Sequence, residues 1–134
     1  MIGHLSIPAI GVDEVIRSGV AVDVIDRGVA HWVGTAGAGE EGNMVLAAHR
    51  TTHTAPFRDL DDLAPGDLVV VTDPSGFDVM YRVDEIFVVD PEDIWITYDI
   101  PGRSTLTLFA CHPKGSARQR IVVRASLLGG GRIA

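Results

Sequence analysis

The sequence predicts an all-β fold, a barrel or a sandwich, from three kinds of observation. Apolar runs are short, rich in β-branched residues and bounded by Gly, Pro, Asp and Asn, as in residues 68–72 (LVVVT) and 105–110 (TLTLFA). No long stretch repeats its apolar residues at helical spacing. Strand-like runs also follow one another without regular helices between them, a pattern that opposes a parallel α/β fold.

The elements follow in chain order. Residues 4–7 and 12–16 read as strands separated by Pro8 and Gly11. Residues 22–27 suit a short helical turn. Residues 44–48 form a strand after the Gly42-Asn43 turn signal. Residues 56–63 predict a helix: Pro56 stands near its first position, where a missing N–H is no loss, and Ala64-Pro65-Gly66 cannot continue it. Residues 68–72 and 77–89 are strands around Pro74-Ser75-Gly76, and the longer one bends because Arg82, Asp84 and Glu85 break its alternation. Residues 105–110 and 120–125 complete the strands, and Gly129-Gly130-Gly131 predicts a frayed end. The expected organisation is a single domain over residues 1–134 with a core at about 4–126.

Composition narrows the function. The 134 residues suit one domain with a modest core, and 46% hydrophobic content is too high for a disordered chain. A net charge of −7 and a pI near 5.0 oppose nucleic-acid binding, which needs basic surface. The single cysteine rules out an intrachain disulfide and a Cys-only zinc site. The apolar runs at 44–48, 68–71 and 86–89 fall far short of the roughly 18–20 residues of a spanning helix. The opening MIGHLSIPAIG lacks the basic and apolar regions of a secretory signal.

Several motif matches fail on context. Gly37 to Gly42 fits G-x-G-x-x-G, but a strand follows instead of a helix, and Glu40 and Glu41 would repel a pyrophosphate. His49 and His53 have the spacing of H-E-x-x-H, yet Arg50 occupies the place of the glutamate. A zinc site from His49, His53, Cys111 and His112 has suitable donors, but the adjacent Arg50 disfavours a dication. Asp59, Asp61, Asp62, Glu92 and Asp93 read as solvated faces with no EF-hand spacing.

The remaining chemistry centres on Cys111. It ends a strand-like run and Pro113 follows, so it lies at a sheet rim where substrate can reach it. His49 likewise ends the 44–48 run, and an imidazolium beside a thiolate stabilises the reactive anion. Arg120 enters the 120–125 strand, a candidate neighbour of 105–110, where its fixed charge would stabilise an oxyanion. Arg118 is its rival, since period 2 keeps it on the same face. A thiolate and an imidazolium needed together predict a bell-shaped pH–rate curve belonging to the pair.

Thr107-Leu108-Phe109-Ala110-Cys111, with Arg120 heading an Ile-Val-Val strand, resembles the sortase signature. Asn43 to Arg50 resembles the segment that carries the sortase catalytic histidine, and residues 4–11 and 31–36 match further family segments. His49-Arg50-Thr51-Thr52, Ala55-Pro56-Phe57, Pro65-Gly66-Asp67 and Cys111-His112-Pro113-Lys114 are most similar to class E sortases of actinobacteria.

The resemblance implies a closed eight-stranded sortase-like β-barrel with short helices in the connections. It implies a cysteine transpeptidase without metal or organic cofactor. Cys111 would attack the Thr–Gly bond of an LPxTG- or LAxTG-like sorting signal, Arg120 would steady the oxyanion, and His49 would transfer protons. The thioester would be resolved by an amine of a cell-wall precursor or pilin. The implied location is the extracytoplasmic face of the cell membrane, through an N-terminal anchor not present in this chain.

The sequence departs from the family pattern at Ala110, where Thr is usual, at Ala48, where Gly is usual, and at His53-Thr54, where class E carries Tyr-Gly. His53 and Ala110 are therefore the candidate substrate-binding positions. The same departures support a competing reading, a catalytically weak or inactive barrel that acts as a peptide-binding module.

Overall fold

The structure is a computed structural model that describes residues 2–19 and 22–132, so the ends of the expected 1–134 span lie outside it. It contains β1 (Gly3–Ile7), β2 (Val12–Ser18), a one-turn helix α1 (Val22–Ile25), β3 (Val29–His31), β4 (Gly42–Ala47), β5 (Leu68–Thr72), β6 (Phe77–Val89), β7 (Ser104–His112) and β8 (Gln119–Arg132). Short 3-10 turns occur at Pro8–Ile10, Leu60–Asp62 and Ile94–Thr97. The eight strands close a barrel in the order β1-β2-β3-β4-β7-β8-β6-β5. The all-β expectation and its closed eight-stranded form both hold.

Alternation along each strand separates inside from outside. Met44, Leu46 and Ala48 on the β4 side, Leu106, Leu108 and Ala110 on β7, and Ile121, Val123 and Ala125 on β8 join one core cluster. Tyr81 is fully buried in that cluster, and its hydroxyl accepts a hydrogen bond from the Gly39 N–H at 2.8 Å. Burial pushes the Tyr81 phenol above its usual range.

The opposite faces of β7 and β8 carry a second, smaller core. Val89, Ile96 and Val122 pack there with Phe87 and Phe109, under the β6–β7 connection that contains Ile94–Thr97. Asn43 anchors this connection from β4. Its amide nitrogen donates to the Ile96 and Tyr98 carbonyls at 2.8 and 3.2 Å. Its Oδ1 accepts from the Thr105 and Thr107 hydroxyls at 3.1 and 2.7 Å. The side-chain amide thereby fills its full hydrogen-bonding capacity in a site of 0% exposure. Gly42 is needed just before it: φ is +119°, and a Cβ there would lie 3.0 Å from Asp99 Oδ1.

Some expectations are corrected. Residues 56–63 form turns followed by a 3-10 turn at Leu60–Asp62 instead of an α-helix. Phe57, Leu60 and Leu63 are buried at a spacing of three, which suits the 3-10 repeat. The Gly129-Gly130-Gly131 segment does not fray, because β8 continues through it and pairs with β6 as far as Phe77↔Arg132. β3 was not anticipated and pairs in parallel with β2. β6 does bend, with register shifts at Met80/Tyr81 and Val83/Glu85.

Candidate active site

β4 and β7 are parallel neighbours, with Ala47 opposite Phe109. Continuing that register two residues beyond each sets His49 level with Cys111. Adjacent strands lie about 4.8 Å apart. On the other side of β7, Cys111 pairs directly with Arg120 of β8. His49, Cys111 and Arg120 therefore form a row across the same rim of three adjacent strands. Directly opposed residues share a face, so the Arg120 side chain emerges beside that of Cys111. Arg118 sits in the exposed loop and does not line the cleft described next.

All three residues line one cleft of about 340 Å³. Its apolar wall comes from Trp32, Ile94, Ile96, Phe109 and Ala110, with Trp32 and Phe109 in ring contact at 5.5 Å between centroids. Ala48 lines it as well. Cys111 is a free, half-buried thiol. Of the candidate substrate-binding residues, Ala110 lines the cleft, whereas His53 lies in the turn beyond His49 and does not.

His49 Nε2 lies 2.7 Å from Asp26 Oδ1, in the connection between α1 and β3. A carboxylate can only accept, so Nε2 carries the proton in this contact and Nδ1 is left outside it. His53 Nε2 lies 3.2 Å from the same oxygen. The two imidazoles are 4.9 Å apart between centroids. His53 reaches back because its backbone adopts φ +54°, a left-handed conformation that histidine tolerates better than most residues.

Arg50 has another role than the sequence suggested. It is 3% exposed, and its guanidinium is turned away from His49. Nε donates to the Arg58 carbonyl at 3.0 Å. Nη1 donates to the Cys111 carbonyl at 3.2 Å and to His112 Nδ1 at 3.0 Å. Nη2 pairs with Asp61 at 3.1 Å. One planar group thus ties the chain after β4 to the end of β7, holding the backbone that carries Cys111. Burial acts to raise the Asp61 carboxyl, but the charge and hydrogen bond of Arg50, with Lys114, hold it below the usual range. His112 is committed to Arg50, so the four-residue zinc set weighed from the sequence does not assemble; among the described residues the metal-type cluster that does is Asp26, His49 and His53.

Arg120 Nη1 donates to the Ala117 and Gln119 carbonyls, both at 2.9 Å, which fixes the side chain at the mouth of the β7–β8 loop. Arg124, four residues further along the same strand face, donates to the Ile96 carbonyl at 3.0 Å and lies near the stacked rings of Phe87 and Trp95. The floor and far wall of the cleft are thus bound to the strands that carry Cys111 and Arg120.

Comparisons agree with this geometry. The Sortase domain model matches residues 5–128. Sortase SrtE1 of Streptomyces coelicolor is 32% identical over 133 residues, covering 89% of this chain and 38% of that protein. Sortase A of Streptococcus agalactiae is 30% identical over 132 residues, covering 95% of this chain and 53% of that protein. The chain thus spans between about two-fifths and half the length of these relatives. The crystal structure of Sortase E1 from Streptomyces coelicolor, with a tripeptide in its active site, superposes with a TM-score of 0.89 at 28% identity, covering 97% of this chain and 89% of that one. A Clostridium perfringens Sortase D5 transpeptidase gives a TM-score of 0.86 at 33% identity, covering 96% and 79%. No described helix is long and apolar enough to cross a membrane. A closed barrel with Cys, His and Arg in one cleft, matched by the domain over nearly its whole length, makes this chain a member of the sortase family of cysteine transpeptidases.

Proposed function

We propose that the chain is a transpeptidase domain that cleaves the Thr–Gly bond of an LPxTG- or LAxTG-like sorting signal and joins the new carboxyl end to an amine of a cell-wall precursor or pilin. The observation that carries this reading is the row His49, Cys111 and Arg120 on three adjacent strands along one cleft. The Cys111 thiolate attacks the carbonyl carbon, and the oxyanion forms beside the Arg120 guanidinium. With Nη1 held by carbonyls, Nε and Nη2 remain as donors for the oxyanion. His49 gives a proton to the departing glycine amine, which leaves a thioester on Cys111. It then takes a proton from the incoming amine as that amine displaces the thiolate. The apolar wall of Trp32, Ile94 and Phe109 suits the apolar part of such a signal. This activity then belongs at the extracytoplasmic face of the membrane, where such peptide and amine substrates meet.

Incubation with LPxTG and LAxTG peptide pools and an amine, followed by mass spectrometry, tests the reading. Ligated product and a thioester adduct, both lost in Cys111→Ala, are expected. No adduct, with Cys111→Ala indistinguishable from the parent, defeats it. Ala110 and Ala48 favour one other reading, a barrel that captures peptide without turnover. Saturable peptide binding unchanged in Cys111→Ala, with no acyl adduct, is the result that selects it.

A further inference from the structure

We propose that Asp26, His49 and His53 form a binding site for a divalent transition-metal ion of the zinc class, whose occupancy switches the transpeptidase off. The binding site stands on geometry alone; the switch rests on the proposed role of His49 in proton transfer.

The donors come from separate points of the chain: Asp26 from the α1–β3 connection, His49 from two residues past the end of β4, and His53 from the following turn. One carboxylate oxygen and two imidazole nitrogens lie within 4.8 Å of one another. Asp26 Oδ1 is 2.7 Å from His49 Nε2 and 3.2 Å from His53 Nε2. Around a tetrahedral zinc ion with bonds of about 2.0–2.2 Å, donors stand roughly 3.4 Å apart. The cluster therefore reaches that geometry by moving each donor less than about 1 Å, with a fourth position left for water. Two imidazoles and a carboxylate suit zinc, copper or nickel, whereas magnesium and calcium prefer oxygen-only sets.

The charge objection raised by the sequence is offset in this set by the Asp26 carboxylate within it and by Asp61, which pairs with Arg50. Arg50, next to His49, spends its guanidinium on the Arg58 and Cys111 carbonyls, His112 and Asp61. Arg120 Nη1 is held by the Ala117 and Gln119 carbonyls.

Occupancy has a direct chemical consequence. The ion takes the Nε2 lone pair of His49 in place of the proton now shared with Asp26. The ring keeps one proton, on Nδ1, and can no longer act as an imidazolium that donates to a leaving amine and is then restored. The ion is bound without redox change: a neutral ring shifts its Nε2 proton to Nδ1, and an imidazolium releases that proton to solvent. The cleft and Cys111 stay intact, so a chelator reverses the effect.

The test titrates metal-free protein with zinc by calorimetry, beside Cys111→Ala, His53→Ala and Asp26→Ala, each checked for an unchanged melting transition. One zinc per chain is expected in the parent and in Cys111→Ala. His53→Ala and Asp26→Ala should each bind at least about ten- to a hundredfold more weakly, because loss of even an outer partner of a ligand costs that much. Cobalt in place of zinc should give no sulfur-to-metal charge-transfer band. In ligation assays zinc should quench the parent and a chelator restore it. His53→Ala should need correspondingly more zinc, measured against its own zinc-free rate. Absent stoichiometric binding, binding equal in all variants, or binding lost in Cys111→Ala with a sulfur band, overturns the site. Ligation unaffected by bound zinc overturns the switch. Zinc binding with the expected variant pattern in a protein that ligates no peptide leaves the site standing and removes the transpeptidase reading instead.

Discussion

His49 stands level with Cys111 because two parallel strands, β4 and β7, run side by side with Ala47 opposite Phe109. Neither residue needs a long loop to reach the other. Each projects where its strand passes the barrel rim, and Arg120 joins them by pairing across β7 and β8. A site built on strand ends is held by the sheet, and the residues that brace those ends become the sensitive ones.

Asp26 braces His49. Asp26→Asn should lower kcat by about tenfold, below the 10²–10⁴ typical for loss of a whole acid–base group, and move KM less. The contact is only half-buried and open to solvent screening, worth about 1 kcal/mol or less, so the melting transition should barely shift. Steady-state ligation kinetics beside calorimetric melting check both parts. A large stability loss with unchanged kcat would make Asp26 a structural residue only.

Arg50 braces the end of β7. Arg50→Met should destabilise the domain by about 1–3 kcal/mol, since it strips two part-buried carbonyls and Asp61 of a shared donor. Arg50→Lys should recover little, because a single ammonium cannot reach partners spread around a planar fork. Urea unfolding midpoints decide it, and a lysine variant as stable as the parent would contradict the clamp.

Asn43 braces the connection over the cleft. Asn43→Ala should cost about 2–4 kcal/mol, the scale for several buried polar groups left unpaired. It should also raise KM, because Ile94 and Ile96 line the cleft from the segment that Asn43 holds. Asn43→Asp should fare no better, since it presents oxygens to the Ile96 and Tyr98 carbonyls.

Asp61 sets an acid-side dependence. Its carboxyl is held below the ordinary aspartate range in the folded state. Stability from this group is therefore present above the unfolded value and lost as pH falls through the lower folded value. Between about pH 5 and 2 the parent should lose stability more steeply than Asp61→Asn, with equal slopes near neutrality. The carboxylate is 44% exposed, so salt should shrink the difference. Unfolding midpoints across that range provide the measurement.

Much of this was legible from residues alone, for physical reasons that differ by element. Strands such as Leu68–Thr72 announce themselves because β-branched runs between turn residues have few other uses. β3 does not, since Val29–His31 is too short to show a period. The glycines at 129–131 looked like an end because glycine weakens strands, yet pairing with β6 overrides that local preference. Cys111, His49 and Arg120 each closed or opened a strand pattern, and that was enough to bring them to one rim. Asp26 carried no such signal: a lone carboxylate in a one-turn segment looks the same whether it meets solvent or an imidazole. Arg50 was misread because sequence adjacency to His49 says nothing about which way a long side chain turns.

The order of strands around the barrel also bears on how the chain comes into being. β4 and β7 become neighbours only after the β5–β6 hairpin has been laid down between them in sequence, and Arg120 arrives on the last strand of all. On a chain that emerges from its N-terminus, Cys111, His49 and Arg120 meet only at the final stage of folding. Until β8 docks, the thiol lacks the guanidinium proposed to assist it, so a partly made molecule is chemically quiet toward the peptides around it.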